Sequence, residues 1–115
     1  MFATLALFED IIAAVEILLQ EHRTGLSKTK LKVVLKDGSI LFLREIVIEN
    51  ILFDYSYHWQ SPNNVLIIRW DNAAHYPNIS TFPHHKHVES ENNVLLSEEQ
   101  SLSAVLNFIR NKIGI

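Results

Sequence analysis

Three turn signals fall between residues 29 and 70, each between runs of alternating character. Lys36-Asp37-Gly38-Ser39 places Asp-Gly between two such runs, the preferred sequence for a tight hairpin turn. Glu49-Asn50 and Ser61-Pro62-Asn63-Asn64 are the next two. Pairing Lys36 with Ser39 sets Leu31, Val33, Leu35, Ile40 and Phe42 on one face. Pairing Ile48 with Ile51 continues that face through Ile46, Phe53, Tyr55, Tyr57 and Trp59. Pairing Gln60 with Val65 adds Leu66, Ile68 and Trp70. A slip of one residue would invert every side chain, so the agreement of the three turns predicts a four-stranded antiparallel meander. Arg44 is the exception on the inner face, opposite Tyr55.

Length and flanks complete the expected fold. The 115 residues are read as one domain, residues 1–115. Residues 2–22 read as a helix, apolar nearly all round, with Glu9, Glu16, Gln20 and Arg23 as a narrow polar stripe. Thr24-Gly25 would stop it, with Gly25 as a left-handed cap. Ser97-Glu98-Glu99-Gln100 reads as a capping box. It would open a second helix carrying Leu102, Val105, Leu106, Ile109 and Ile113 at helical spacing. The expected class is α+β in the order α-β-β-β-β-loop-α, with both helices on the aromatic side of the sheet. A helix with so broad an apolar surface wants a partner, which predicts a homodimer through residues 2–19. Glu9, Asp10 and Glu16 argue against a membrane span, because each charge costs about 2.5–3.5 kcal/mol at a helix centre. With no signal peptide read, the cytoplasm is the expected location.

The chain has no Cys, which excludes disulfides, Cys-bound zinc and thiol catalysis. Three Gly leave no phosphate-cradling loop. Net charge is −3 with neutral His, and protonation of all six His would reverse its sign. His75, His84, His85 and His87 fall in a stretch, residues 73–93, without trusted periodicity. Long loops in compact domains are usually functional or disordered, and this one reads as functional and ordered. His84 and His85 cannot point the same way in an extended strand, whereas His85 and His87 can.

Two chemistries suit these residues. In the first, RNA supplies its own 2′-hydroxyl nucleophile. The protein then needs a base, an acid and a cation for the phosphate. His58, His85 and His87 are candidates for the proton transfers, and Lys86 and Arg69 for the phosphate; no cofactor is required. Tyr55, Tyr57 and Phe82 would stack bases where exposed. In the second, a metal-dependent hydrolase or nuclease uses His85 and His87 with Asp54 or Asp71. The bland alternative is that the His cap backbone groups in a long loop. On the outer face the expected register aligns Glu45, Asp54 and Asp71 as neighbouring carboxylates, either solvated beside Lys30 or holding a cation. Lys28, Lys30, Lys32 and Lys36 alternate along the first strand. They either guard an exposed edge or track nucleic-acid phosphates.

Three blocks, Tyr55-Ser56-Tyr57-His58-Trp59-Gln60, Arg69-Trp70-Asp71-Asn72-Ala73 and Thr81-Phe82-Pro83-His84-His85-Lys86-His87, resemble the TumE family over roughly residues 30–110. These are small prokaryotic toxins of toxin–antitoxin pairs. Ala73-Ala74-His75 departs from the family's frequent Ala-Pro-His. The resemblance implies a toxin neutralised by a small helix-turn-helix antitoxin, with RNA as the target of toxicity. A non-enzymatic interaction module, motivated by the apolar first segment, stands as the alternative.

Overall fold

The structure is a computed structural model and describes residues 1–114. Its elements are α1 (Phe2–Ala6), β1 (Ile12–Arg23), β2 (Leu26–Leu35), β3 (Ile40–Ile48), β4 (Ile51–Gln60), β5 (Leu66–Asp71), β6 (His85–Val88), β7 (Val94–Leu96) and α2 (Leu102–Ile113). Each strand pairs antiparallel with the next, giving a seven-stranded meander in chain order. The α+β class with a helix at each end holds, but the sheet has seven strands where four were expected.

The largest correction is at the N-terminal segment. Residues 12–23 form a strand, and only Phe2–Ala6 is helical. An apolar run without period cannot distinguish the two states. Pairing decides it: β1 runs beside β2 from Ile12↔Leu35 to Arg23↔Leu26, with two register shifts, satisfying the backbone groups that face β2. Thr24-Gly25 is therefore a hairpin turn, with Gly25 at φ +75. The expected dimer helix does not exist beyond residue 6. Its apolar side chains remain, with Val15, Ile17 and Leu18 exposed on an edge strand.

A second correction falls in the stretch without period. It contains the hairpin β6–β7. His85-Lys86-His87-Val88 does alternate between faces, but with polar residues on both, so hydrophobicity carries no trace of it.

The third correction concerns register. Gly38 N donates to Leu35 O and Leu35 N to Ser39 O, both at 2.9 Å, and Gly38 takes φ +90. This is a type I turn followed by a left-handed glycine, a three-residue loop. Val34 then pairs with Ile40, one residue away from the expected register. Consequently Leu41, Leu43 and Glu45 face inward, while Ile40, Phe42 and Arg44 face outward. Glu49 and Asn50 both take positive φ (49 and 64) and close β3–β4 through the expected pair Ile48↔Ile51. A bulge between Ile46 and Val47 shifts the ladder once more, which returns Tyr55, Tyr57 and Trp59 to the inside.

The inner face packs Leu31, Val33, Leu43, Tyr57 and Trp70 against Leu102, Val105, Leu106 and Ile109 of α2, with Leu5, Phe8 and Ile11 completing the core. Trp70 stacks on Trp59 at 6.5 Å and meets Phe108 edge-on at 5.6 Å. Helix α2 begins later than expected. Ser101 is its cap, accepting from Ala104 N at 3.2 Å, whereas the Ser97 hydroxyl donates to Glu99 O in the preceding turn. Arg110 anchors the far end, donating to Asp10 Oδ1 at 2.6 Å and Leu7 O at 3.1 Å. On the inner face Tyr57 donates its hydroxyl to Glu45 at 2.5 Å. Burial and the Glu45 charge push this phenol well above its ordinary pKa, so it stays a neutral donor.

Leu106→Ala should cost about 2–5 kcal/mol through the cavity left under the sheet. Gly38→Ala should cost about 1–2 kcal/mol, because an L side chain is forced into the left-handed region. Thermal or denaturant unfolding of each variant against the parent protein measures both.

Candidate functional site

The candidate site lies on the sheet face opposite α2. Register places its residues in two rows. One runs Lys30, Arg44, Ser56, Asp71, His85 across β2 to β6. The next runs Lys32, Phe42, His58, Arg69, His87. Adjacent strands lie about 4.8 Å apart, so His58 and His87 flank Arg69 on either side.

Asp71, His85 and His87 converge at the centre. His85 Nε2 is 2.9 Å from Asp71 Oδ1, and His87 Nε2 is 3.6 Å from Asp71 Oδ2. Both imidazoles are almost wholly buried, 2% and 4% exposed. Their other ring nitrogens point at backbone carbonyls: His85 Nδ1 at Pro83 O (3.0 Å) and His87 Nδ1 at Glu91 O (2.8 Å). A carbonyl only accepts, so Nδ1 carries the hydrogen in each ring. In the neutral tautomer each Nε2 then presents a lone pair to the same carboxylate. Lone pairs facing one another at this range require a positive charge among them.

Neighbouring groups hold this centre in place. Arg69 donates from Nε to Asp71 at 3.3 Å and from its terminus to Glu91 at 2.5 Å. Ala73 N donates to Asp71 Oδ1 at 3.1 Å. Asn72 braces the loop that follows by accepting from Tyr55 N and donating to Phe53 O. The loop carries Tyr76 across the imidazoles, edge-on to His85 at 4.8 Å and to His87 at 6.0 Å. A pocket of about 250 Å³ opens over the centre, lined also by Arg44, Ser56 and His75.

The residues singled out in the sequence separate into groups. His85, His87, Arg69 and Asp71 come together, with His58 next to Arg69 across the ladder. Burial, and then the Arg69 charge, hold His58 below its ordinary pKa, so it is neutral near pH 7. Lys86 points to the other face. Its Nζ is 2.9 Å from Glu99 Oε1, which also accepts from Trp70 Nε1 at 3.0 Å. His84 also lies apart, with Nδ1 2.8 Å from the Tyr55 hydroxyl. Tyr55 and Tyr57 are buried, whereas Phe82 is exposed.

The expected row of three carboxylates does not form. Glu45 faces inward to Tyr57, Asp54 pairs with Arg44 at 2.9 Å, and Asp71 faces the imidazoles. Lys28, Lys30 and Lys32 share the outer face, and Lys36 sits in the β2–β3 turn. Strand β2 is not an edge, because β1 covers it, so edge protection does not account for these lysines. Lys28 stands opposite Glu21 and Lys32 opposite Glu16. Arg44, expected as the exception on the inner face, lines the pocket beside Ser56, because the observed register turns it outward. Glu91 has no sequence signal: its role arises from the β6–β7 turn.

Fold and site together describe a small meander protein with a buried Asp-His-His centre on its open sheet face. The chain matches the family described as Toxin TumE over residues 2–113 and belongs to that family. No curated protein and no solved structure matches it. No helix among the described residues is long and apolar enough to cross a membrane.

Burial raises the Glu99 carboxyl pKa, but the hydrogen bonds from Lys86 and Trp70 outweigh it, and the net value falls below the ordinary one. A carboxyl with a depressed folded pKa adds stability that is present above its unfolded pKa. That stability is lost as pH falls through the folded value. Glu99→Gln should therefore cost about 1 kcal/mol at pH 7, allowing for solvent screening. The difference from the parent should vanish in acid below the depressed pKa. Urea midpoints across pH test this.

Proposed function

We propose that this toxin acts on RNA, cleaving the phosphodiester backbone on the outer sheet face, between His58 and the pocket over Asp71, His85 and His87. The observation that carries the reading is the row His58, Arg69, His87: a guanidinium between two imidazoles on neighbouring strands, beside the Asp71–His85 contact. RNA cleavage by the 2′-hydroxyl needs this set of functions. His58, neutral near pH 7, takes the 2′-hydroxyl proton as the oxygen attacks phosphorus. Arg69, with Arg44 nearby, holds the charge that develops on the phosphate. The bond from phosphorus to the 5′-oxygen breaks, and that oxygen leaves towards the positive charge held among Asp71, His85 and His87, taking a proton from water while His58 returns its own to solvent. The products are a 2′,3′-cyclic phosphate and a 5′-hydroxyl. Lys28, Lys30 and Lys32 extend the same face as a track for neighbouring phosphates.

The toxin family supports an antitoxin partner. In this reading the antitoxin, a small helix-turn-helix protein, neutralises the toxin by covering the pocket. Lys86 supports the site by fixing β6 to the turn before α2, because its ammonium is engaged by Glu99 on the far face.

Purified protein should cleave RNA to products ending in cyclic phosphate. His58→Ala, Arg69→Ala and His87→Ala should each lower the rate by about 10² or more, with folding checked by circular dichroism. Intact RNA after prolonged incubation, from protein that remains toxic in cells, would overturn the reading.

A further inference from the structure

We infer that Asp71, His85 and His87 form a binding site for one divalent first-row transition-metal ion. The donor atoms of the three residues lie within 4.8 Å of one another. The set is two imidazole nitrogens and one carboxylate oxygen, a combination that suits Zn²⁺, Mn²⁺ or Fe²⁺ rather than Mg²⁺, which takes oxygen ligands. Three protein ligands leave a coordination position free for water or a phosphate oxygen.

The second observation is independent of that cluster. Each imidazole gives its Nδ1 hydrogen to a backbone carbonyl, Pro83 O for His85 and Glu91 O for His87. This is how a protein orients a metal-binding histidine: the outer hydrogen bond fixes the tautomer and directs the Nε2 lone pair inward. Two rings built this way, both buried and both aimed at one carboxylate, need a proton or a metal ion between their Nε2 atoms and that carboxylate. Arg69 and Ala73 N bind the same carboxylate from outside and keep it turned to the imidazoles. Glu91 draws the terminus of Arg69 away, which reduces the repulsion a metal ion would meet there. A tetrahedral ion with bonds of about 2.0–2.2 Å holds its ligand atoms about 3.4 Å apart. The His87–Asp71 separation of 3.6 Å is close to this, while the 2.9 Å between His85 and Asp71 and a spread of up to 4.8 Å across the set mean that the side chains shift as the ion binds. Asp54 is excluded from the set, because Arg44 engages it.

Metal binding stands on this geometry alone. A role for the ion in holding the leaving oxygen rests on the RNA-cleavage reading. Protein stripped with chelator should bind Zn²⁺ or Mn²⁺ at one equivalent by titration calorimetry, with Kd of micromolar or below for Zn²⁺. Asp71→Asn and His87→Gln should weaken binding at least 100-fold, and His22→Ala, far from the site, should leave it unchanged. Because a buried substitution can unfold the chain, the wild-type protein supplies a second readout. Co²⁺ should shift or broaden the imidazole resonances of His85 and His87 and spare those of His22. Absence of one-equivalent binding up to 100 µM metal, or Co²⁺ effects confined to other histidines, overturns the proposal. One-equivalent binding without RNA cleavage would uphold the site and defeat the nuclease reading. Full cleavage by metal-free protein that does not bind Zn²⁺ would do the reverse.

Discussion

Gly38, at φ +90, closes the β2–β3 hairpin in three residues, and that geometry fixes which way all of β3 faces. In a sheet with period two, one residue of slip exchanges the two faces. The slip brings Leu41 and Leu43 into the core and turns Arg44 outward towards Ser56. The bulge between Ile46 and Val47 then reverses the parity, so Tyr55, Tyr57 and Trp59 stay inside. Turn and bulge act as a pair. Without the second, the aromatic residues of β4 would face solvent.

The open face owes its chemistry to the same ladder. Asp71 ends β5 directly opposite His85, and Arg69 stands opposite both His58 and His87. The Asp71 carboxylate is the common partner of two imidazoles, a guanidinium and the Ala73 amide. On the other face, Glu99 accepts from Lys86 and Trp70. Strand β6 is thus held on one side through His85 and on the other through Lys86, in successive residues. This explains how a four-residue strand carries a buried site.

Much of the fold was legible because turn chemistry is local. Asp37-Gly38, Glu49-Asn50 and the Ser61–Asn64 segment all turn where the residues say they should. The apolar residues of α2 are buried as their spacing predicts, although its cap lies at Ser101 and not Ser97. The N-terminal segment was misread because an apolar run without period suits a helix and a strand equally. Strand β6 was invisible because His and Lys alternate without a change in polarity.

The sequence by itself determined the antiparallel meander of β2 to β5 and the inward Tyr55, Tyr57, Trp59 and Trp70, though not Phe53, which is exposed; the shared side of His85 and His87 followed only on condition that they lie in a strand. These follow from strand period and turn preference, which act over a few residues. Tertiary structure decided the rest: that residues 12–23 pair with β2, that Arg44 faces outward, and that Asp71 meets both imidazoles while Lys86 does not. Each depends on a one-residue register choice or on a pairing between segments distant in the chain, and no local preference encodes either.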